Sequence, residues 1–396
     1  MSPERVFQLL LTGGLLLGGW FYGDYYKRTA PTEANQEVEA NLRAENTELT
    51  LELDSLRDEV AQLRSLLKSG PYPIPEDLIE FVEKDNGLQF QLPPLAQLTS
   101  PAEMRNAAER NIELVYGKDG LEKEQRAWEL IGLTPPDQRL RAQWIAIETM
   151  DAKGLFDLSA EKILLAENFD PMSISDSGML VHLLTRQLIF QNYPQKSWPN
   201  SEAFRAWQGT HRGAAASVQS RYLRRRAATE EVEWNPGGET REALLNSLSP
   251  TIQGLANFPF LEGHDYAKVA YLKSRDDYRA IFEQPAHTTA RLLYPEASDT
   301  GILQSALTPT NEVGALAFSL LLDPYLGNET SNELTLLFKG DYYVLSEKSL
   351  IWTIEMSTPE AALQLRDTLL QIEGASGKEK RQATLQGTTV TLTVTP

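Results

Sequence analysis

The chain contains no cysteine. Disulfides, thiolate zinc sites, iron–sulfur clusters and a cysteine nucleophile are thereby excluded, although the compartment is not, because cysteine-free proteins occur on both sides of a membrane. Positive charge is scarce: 37 Lys+Arg stand against 55 Asp+Glu, a formal net charge of −18. Such a surface repels phosphate backbones, so no nucleic-acid partner is expected. Neither a G-x-S-x-G nucleophile elbow nor a phosphate-cradling glycine loop occurs. Long apolar runs are missing too, with one exception near the N-terminus. The remainder is ordinary globular material: 396 residues, 41% hydrophobic and 23% charged, enough for one large domain or two modest ones with appendages.

The exception runs from Val6 to Gly23, an uncharged stretch between Arg5 and Asp24. Its length falls within the roughly 17–25 residues a helix needs to cross a bilayer's hydrocarbon core. Trp20, Phe21, Tyr22, Tyr25 and Tyr26 crowd its C-terminal end, where amphipathic rings favour the headgroup layer, and Lys27 and Arg28 follow. The pattern predicts a single-pass membrane anchor over 6–23 behind a short tail, 1–5, with the lipid bilayer as a partner. A cleaved signal peptide is the rival reading, but the apolar region is long for one and no small-x-small cleavage site follows. Basic charge nearly balances across the stretch; we place the tail inside and the bulk of the chain outside the cytoplasm. Gly14-x-x-x-Gly18 and Gly19-x-x-x-Gly23 would let two such helices approach closely, although glycine is simply common in membrane helices.

From Glu33 to Lys68 there is neither proline nor glycine, and a heptad seam is visible. Leu42, Leu49, Leu56 and Leu63 take the d positions; Asn46, Leu53, Val60 and Leu67 take the a positions. A lone Asn at an a position prefers its twin in a parallel two-stranded coil, since other registers leave its amide unpaired against leucine. The g–e′ pairs Glu52–Arg57′ and Glu59–Arg64′ are attractive in that arrangement. A parallel homodimer on a stalk of roughly 50 Å is the expectation. The alternative, an amphipathic helix folded back on its own domain, does not require those matches.

Ser69 to Pro75 stops the helix, and Pro93, Pro94 and Pro101 continue a proline-containing linker over 69–100. A domain is expected from 101 to 396. Helical patterns cover Ala102–Tyr116, Leu121–Leu130, Gln138–Met150, Ser175–Phe190 and Ser201–Ala228, with short strands at Gly154–Asp157 and Lys162–Leu165. The part from 334 to 396 is strand-rich: Leu334–Phe338, Tyr342–Leu345, Leu350–Ile354 and Thr388–Val394 alternate around a helix at Pro359–Ile372. The class is α+β.

Within the fourth of those helices, Met179-Leu180-Val181-His182-Leu183-Leu184-Thr185-Arg186-Gln187-Leu188 resembles the V-x-A-H-E-L-T-H-A-L helix of zincin metallopeptidases. There, two histidines at i and i+4 share a helical face and bind zinc while the glutamate activates water. Further segments agree in order with a family of bacterial zincin-like metallopeptidases across most of 105–380. Gly154-Leu155-Phe156-Asp157 is similar to its G-x-Y-D strand, and Arg212-Gly213-Ala214-Ala215 to the E-G-[DE]-A segment that supplies the third ligand. Pro259-Phe260-Leu261-Glu262-Gly263 is similar to P-Y-x-x-G, and Pro285 to Glu296 to P-x-x-T-x-x-x-L-x-P-E with a one-residue shift. Asn311 to Leu321, Gly340-Asp341-Tyr342-Tyr343 and Ile351-Trp352-Thr353 resemble a G-E helix, a G-D-x-Y strand and a tryptophan-bearing strand. The resemblance implies a zincin-like metallopeptidase fold, preceded here by the transmembrane helix and the coiled coil.

It also implies a lost site. The carried-over ligand positions are His182, Arg186 and Arg212, and the base position is Leu183. Arginine stays protonated and has no lone pair for a metal; leucine takes no proton. The expectation is a catalytically inactive pseudo-metallopeptidase without a cofactor, acting as a binding or scaffolding protein for a protein or peptide partner. A relocated His182/His211/His264 metal site, and hence an active metal-dependent peptidase, is the alternative; against it, His211 and Arg212 are neighbours on a helix and point about 100° apart. Arg186 and Arg212 suggest an anion or partner site in place of zinc, or internal ion pairs with Glu262 or Glu283, the plainer reading. Arg221 and Arg224-Arg225-Arg226 read as a solvated helix end, and Gly237-Gly238 as a turn.

Overall fold

In the computed structural model, described over residues 70–136, 138–227, 238–295, 311–374, 377 and 379–395, a helix begins immediately after the prolines at 71–75. The chain divides into two units, 1–68 and 69–396, and the described residues all belong to the second. The stretch 69–100 is more than linker. It holds helix α1 (Glu76–Asn86) and strand β1 (Ala96–Thr99), whose buried Leu78, Val82, Ala96 and Leu98 join a core. Proline and glycine punctuate this segment without excluding short elements between them.

The fold class expected from sequence needs correction. Among the described residues no helix is long and apolar enough to cross a membrane, and the unit is a mixture of helices with two small sheets. The anchor read at 6–23, the coiled coil read at 33–68 and every residue of its seam lie outside the described residues. Even the most buried helix, Ile174–Asn192, carries Asp176, His182 and Arg186.

Helix α2 (Pro101–Tyr116) opens where Ser100 Oγ accepts from Glu103 N and Pro101 occupies the first turn. Helices α3 (Gly120–Ile131) and α4 (Leu140–Thr149) follow, then β2 (Gly154–Asp157) and β3 (Lys162–Ala166). The first sheet has the order β1-β3-β2, with β1 parallel and β2 antiparallel to β3. Helix α5 (Ile174–Asn192) is capped by Ser173, whose Oγ accepts from Asp176 N. It is buried nearly all round, with polar Asp176, His182, Thr185, Arg186 and Gln187 enclosed along with its apolar residues. It packs against the first sheet and along α6 (Ser201–Ala227).

Next come α7 (Gly238–Ser247), α8 (Pro250–Asn257) with a 3-10 turn at Phe258–Phe260, α9 (Glu262–Lys273), α10 (Arg275–Glu283) and α11 (Ala290–Leu293). Gly238 opens α7 instead of forming a turn, while Gly237 lies outside the described residues. Glycines of two motif segments meet where α9 crosses α6. A Cβ on Gly213 would lie 2.1 Å from the backbone of Gly263, and one on Gly263 would lie 2.3 Å from Gly209 O. Both are backbone contacts that cannot swing aside. Gly213→Ala is therefore expected to cost about 1–3 kcal/mol through forced separation of the helices, read as a lowered urea midpoint.

Helices α12 (Ala315–Leu326) and α13 (Asn328–Leu336) precede the second sheet: β4 (Phe338–Leu345), β5 (Leu350–Met356), β6 (Lys380–Gln386) and β7 (Thr389–Thr395), with α14 (Pro359–Leu369) between β5 and β6. Its order is β4-β5-β7-β6, antiparallel throughout. Leu350, Trp352, Ile354 and Met356 of β5 and Val390, Leu392 and Val394 of β7 alternate inward into one core, joined by Leu365 and Leu369 of α14. The strand expected at Leu334–Phe338 is mostly the end of α13. Strand β6 has only Ala383 and Leu385 on its inner side to announce it; it is a mostly polar edge strand, paired through its backbone to β7.

The late motif segments share one buried polar network. Asp341 accepts from Val313 N at 2.8 Å, Gly314 N at 2.9 Å and Trp352 Nε1 at 2.7 Å. Glu202 Oε1 accepts from Thr289 N and Thr289 Oγ1, both at 2.6 Å. Arg205 donates to Glu124 Oε1 at 2.7 Å and Glu202 Oε2 at 3.4 Å, and reaches Val313 O at 3.1 Å. Gly314, at φ 83°, lies so close to Glu202 that a Cβ would fall 2.1 Å from its carboxylate. Here the motifs serve as a scaffold: polar groups of α6, the segment before α12 and β4 satisfy one another in the interior.

Candidate functional site

Positions i and i+4 on a helix share a face, and that spacing puts His182 and Arg186 of α5 on the side turned to α6. Both line a cavity of about 60 Å³ together with Leu183 and with Arg212 of α6. The four positions singled out by the resemblance are thus brought together. Leu183 is 2% exposed and abuts Gly154, where a Cβ would lie 2.5 Å from Leu183 Cδ1. At Leu183, the position that the resemblance matches to the base, stands an apolar plug that needs the glycine of β2 to fit.

The remaining wall was not legible in the sequence. Glu148 comes from the end of α4, Gln219 from α6, Arg241 from α7 and Phe260 from the 3-10 turn. Arg212 Nη1 donates to Glu148 Oε1 at 2.5 Å. The internal acid that closes on Arg212 is therefore Glu148, and neither Glu262 nor Glu283 takes that role. The guanidiniums of Arg212 and Arg241 lie 5.2 and 5.8 Å from the Phe260 ring centre, and His182 stacks on the same ring.

Arg186 is the unusual member. It is 8% exposed and lies 5.4 Å from the Phe156 ring centre, yet among the described residues it has no ion pair and donates no hydrogen bond. Burial, and then Arg212, pull it down to about 9 against the opposing pull of Glu148. It still carries its charge at neutral pH. Burial pushes Glu148 up, but Arg212, followed by Arg186 and Arg241, outweighs that and holds it below the ordinary carboxylate value. Burial, Arg186 and Arg212 hold the His182 imidazole well below its ordinary range, so it is neutral. Three arginines face one carboxylate and one neutral imidazole.

Zinc does not fit this donor set. His182 offers a neutral nitrogen, and its Nδ1 is buried without a partner. The adjacent cations, however, repel a divalent ion and offer no lone pair. The relocated set fares no better. His211 is buried between Trp207 and Phe282, at ring distances of 4.2 and 5.6 Å, away from the cavity lined by Arg212. His264 pairs with Asp265 on a half-exposed helix start. Among the described residues no group of three or more His, Asp or Glu side chains is arranged to hold a metal ion.

Burial, with a contribution from Arg186, lowers His211 from 6.5 to about 3. An unfolded chain binds that proton below 6.5 while the folded chain does not, so this stability is present above pH 6.5 and lost as pH falls towards 3. At pH 4 the loss is about 3 kcal/mol relative to pH 7. His211→Phe is expected to flatten that part of the acid limb in urea titrations at the two pH values.

The basic run at the end of α6 divides. Arg224, Arg225 and Arg226 are exposed, as expected of a solvated end. Arg221 is not part of it: it grips Asp85 of α1 with Nε and Nη2, at 2.9 and 2.6 Å to Oδ2, and stacks on Tyr271 at 3.9 Å. Arg221 ties the segment read as linker to the domain. No protein-family model matches the chain, and no curated protein matches it either.

Proposed function

We propose that residues 70–395 form a non-catalytic binding domain related to zincin metallopeptidases, in which a cluster of arginines stands where a metal and its water would be. One observation carries the reading: the positions corresponding to two histidine or glutamate ligands and the base are Arg186, Arg212 and Leu183, around a single cavity with His182. A hydrolase of this kind needs an open metal position and a base beside the metal-bound water. Here the first is crowded by guanidiniums and the second is a leucine wedged against Gly154. What such a cavity does well is attract and orient anionic groups of a partner.

The test is metal content by mass spectrometry on the purified chain, before and after zinc loading, beside cleavage assays on unstructured protein substrates with and without chelator. The expected outcome is no stoichiometric zinc and no chelator-sensitive cleavage from a folded chain. Stoichiometric zinc that resists chelation would overturn the proposal.

A further inference from the structure

We propose that the arginine-lined cavity is a recognition site for the carboxylate of an apolar acid, the acid group lying against Arg186 and Arg241 and its apolar body in the adjoining chamber. This rests on the non-catalytic reading of the same site. A second cavity of about 90 Å³ shares Glu148, Leu155, Arg186 and Arg212 with the first, so the two arginines stand at the junction. The second is walled mainly by apolar and aromatic groups, among them Ile112, Trp144, Phe204, Trp207 and Leu255.

Size and charge agree on one ligand class. A water needs about 10–15 Å³ by this measure, so the polar cavity has room for a few heavy atoms, a carboxylate group, and the apolar one for a side chain of leucine or phenylalanine size. Arg186 is more than nine-tenths buried, lines both cavities and has no anionic partner among the described residues. Arg212 Nε and His182 Nδ1 are buried polar atoms without hydrogen-bond partners. Glu148 neutralises one of the three arginines, which leaves two cations for an incoming anion. Buried donors without partners are costly, and an anion that satisfies them recovers that cost on binding. The site also opens to solvent, because the Arg212 and Glu148 side chains remain 13% and 22% accessible. A bare phosphate would use the cations but leave the apolar chamber empty.

The shared chemistry, a carboxylate on an apolar body, has two sources: a small free acid or the C-terminus of a peptide. The experiment is calorimetric titration of the full chain with 3-phenylpropionate, its amide, inorganic phosphate, and the tripeptide Ala-Ala-Leu as free acid and as C-terminal amide. At least one acid is expected to bind, and its amide and phosphate are expected to bind at least 10-fold more weakly. Arg186→Gln is expected to lower affinity about 10- to 100-fold, the range for hydrogen bonds to a charged group. Arg241→Gln serves as the second variant if the first fails to fold. Binding of the small acid alone or of the peptide alone identifies the source. Amides or phosphate binding as well as the acids, or no acid binding to the folded, zinc-free chain, would overturn this inference and leave the non-catalytic reading intact. Stoichiometric zinc would overturn both.

Discussion

Arg186→Met is expected to raise the melting temperature of the ligand-free chain. Most buried-to-apolar changes of a charged residue destabilise because they strand a partner, but Arg186 makes no ion pair among the described residues, and Glu148, which attracts it at longer range, keeps its pair with Arg212. Its methylene stem already lies among apolar groups, and methionine fills an irregular space with little strain. Removing a desolvated cation that also repels Arg212 is expected to gain about 1–4 kcal/mol, a shift of several degrees for a domain of this size. The loss of the contact with Phe156 offsets part of it, by about 0.5–2 kcal/mol. Thermal unfolding followed by circular dichroism decides the matter. If the variant instead melts well below the parent, Arg186 is a structural ion-pair member and the anion site loses its main support. A stabilised variant with weakened acid binding is the pattern expected of a residue kept for function at the expense of stability.

Arg205→Met should have the opposite effect, and a larger one. Among the described residues Arg205 is the one cation paired with the buried carboxylates of Glu124 and Glu202, which are 0% and 1% exposed. Breaking a buried pair by removing one partner costs about 3–5 kcal/mol, because the charge left behind is uncompensated. The loss should grow with pH. Burial, then Asp341 and Glu202, raise Glu312 to about 8, and burial raises Asp341 to about 6 despite its three hydrogen bonds. A carboxyl raised in the folded state keeps a proton that the unfolded chain has already released. Stability therefore falls as pH rises from the unfolded value through the folded one. Without Arg205, Glu312 loses an attractive charge and its carboxyl rises further, so the urea midpoint of the variant should drop more at pH 8 than at pH 6. An equal drop at both values would mean that Arg205 does not act on the carboxyls through its charge.

Local signals were strong where local chemistry decides. The helices expected from Ala102, Ser175 and Pro359 begin within a residue of those positions, where Ser100, Ser173 and Thr358 each accept a backbone hydrogen bond of the first turn. Gly154–Asp157 is a strand over the residues expected. The i, i+4 spacing of His182 and Arg186 on one face needed only helix geometry. Two errors share a cause. Leu334–Phe338 alternates like a strand but five residues cannot distinguish strand from helix end, and β6 is a strand only because β7 offers it a backbone ladder. Both were settled by neighbours distant in the chain.

The sequence by itself determined which groups are absent: no thiol, no second histidine four residues after His182, and no carboxylate at Leu183, the position that the resemblance matches to a base. Only the tertiary structure decided what stands there instead. Glu148 of α4 and Arg241 of α7 carry no periodic or motif signal, and they meet Arg186 and Arg212 because four helices and a 3-10 turn converge on one cavity. Whether a buried arginine has a partner depends on distances of a few ångström between segments far apart in sequence. That is set by packing and is invisible to spacing along the chain.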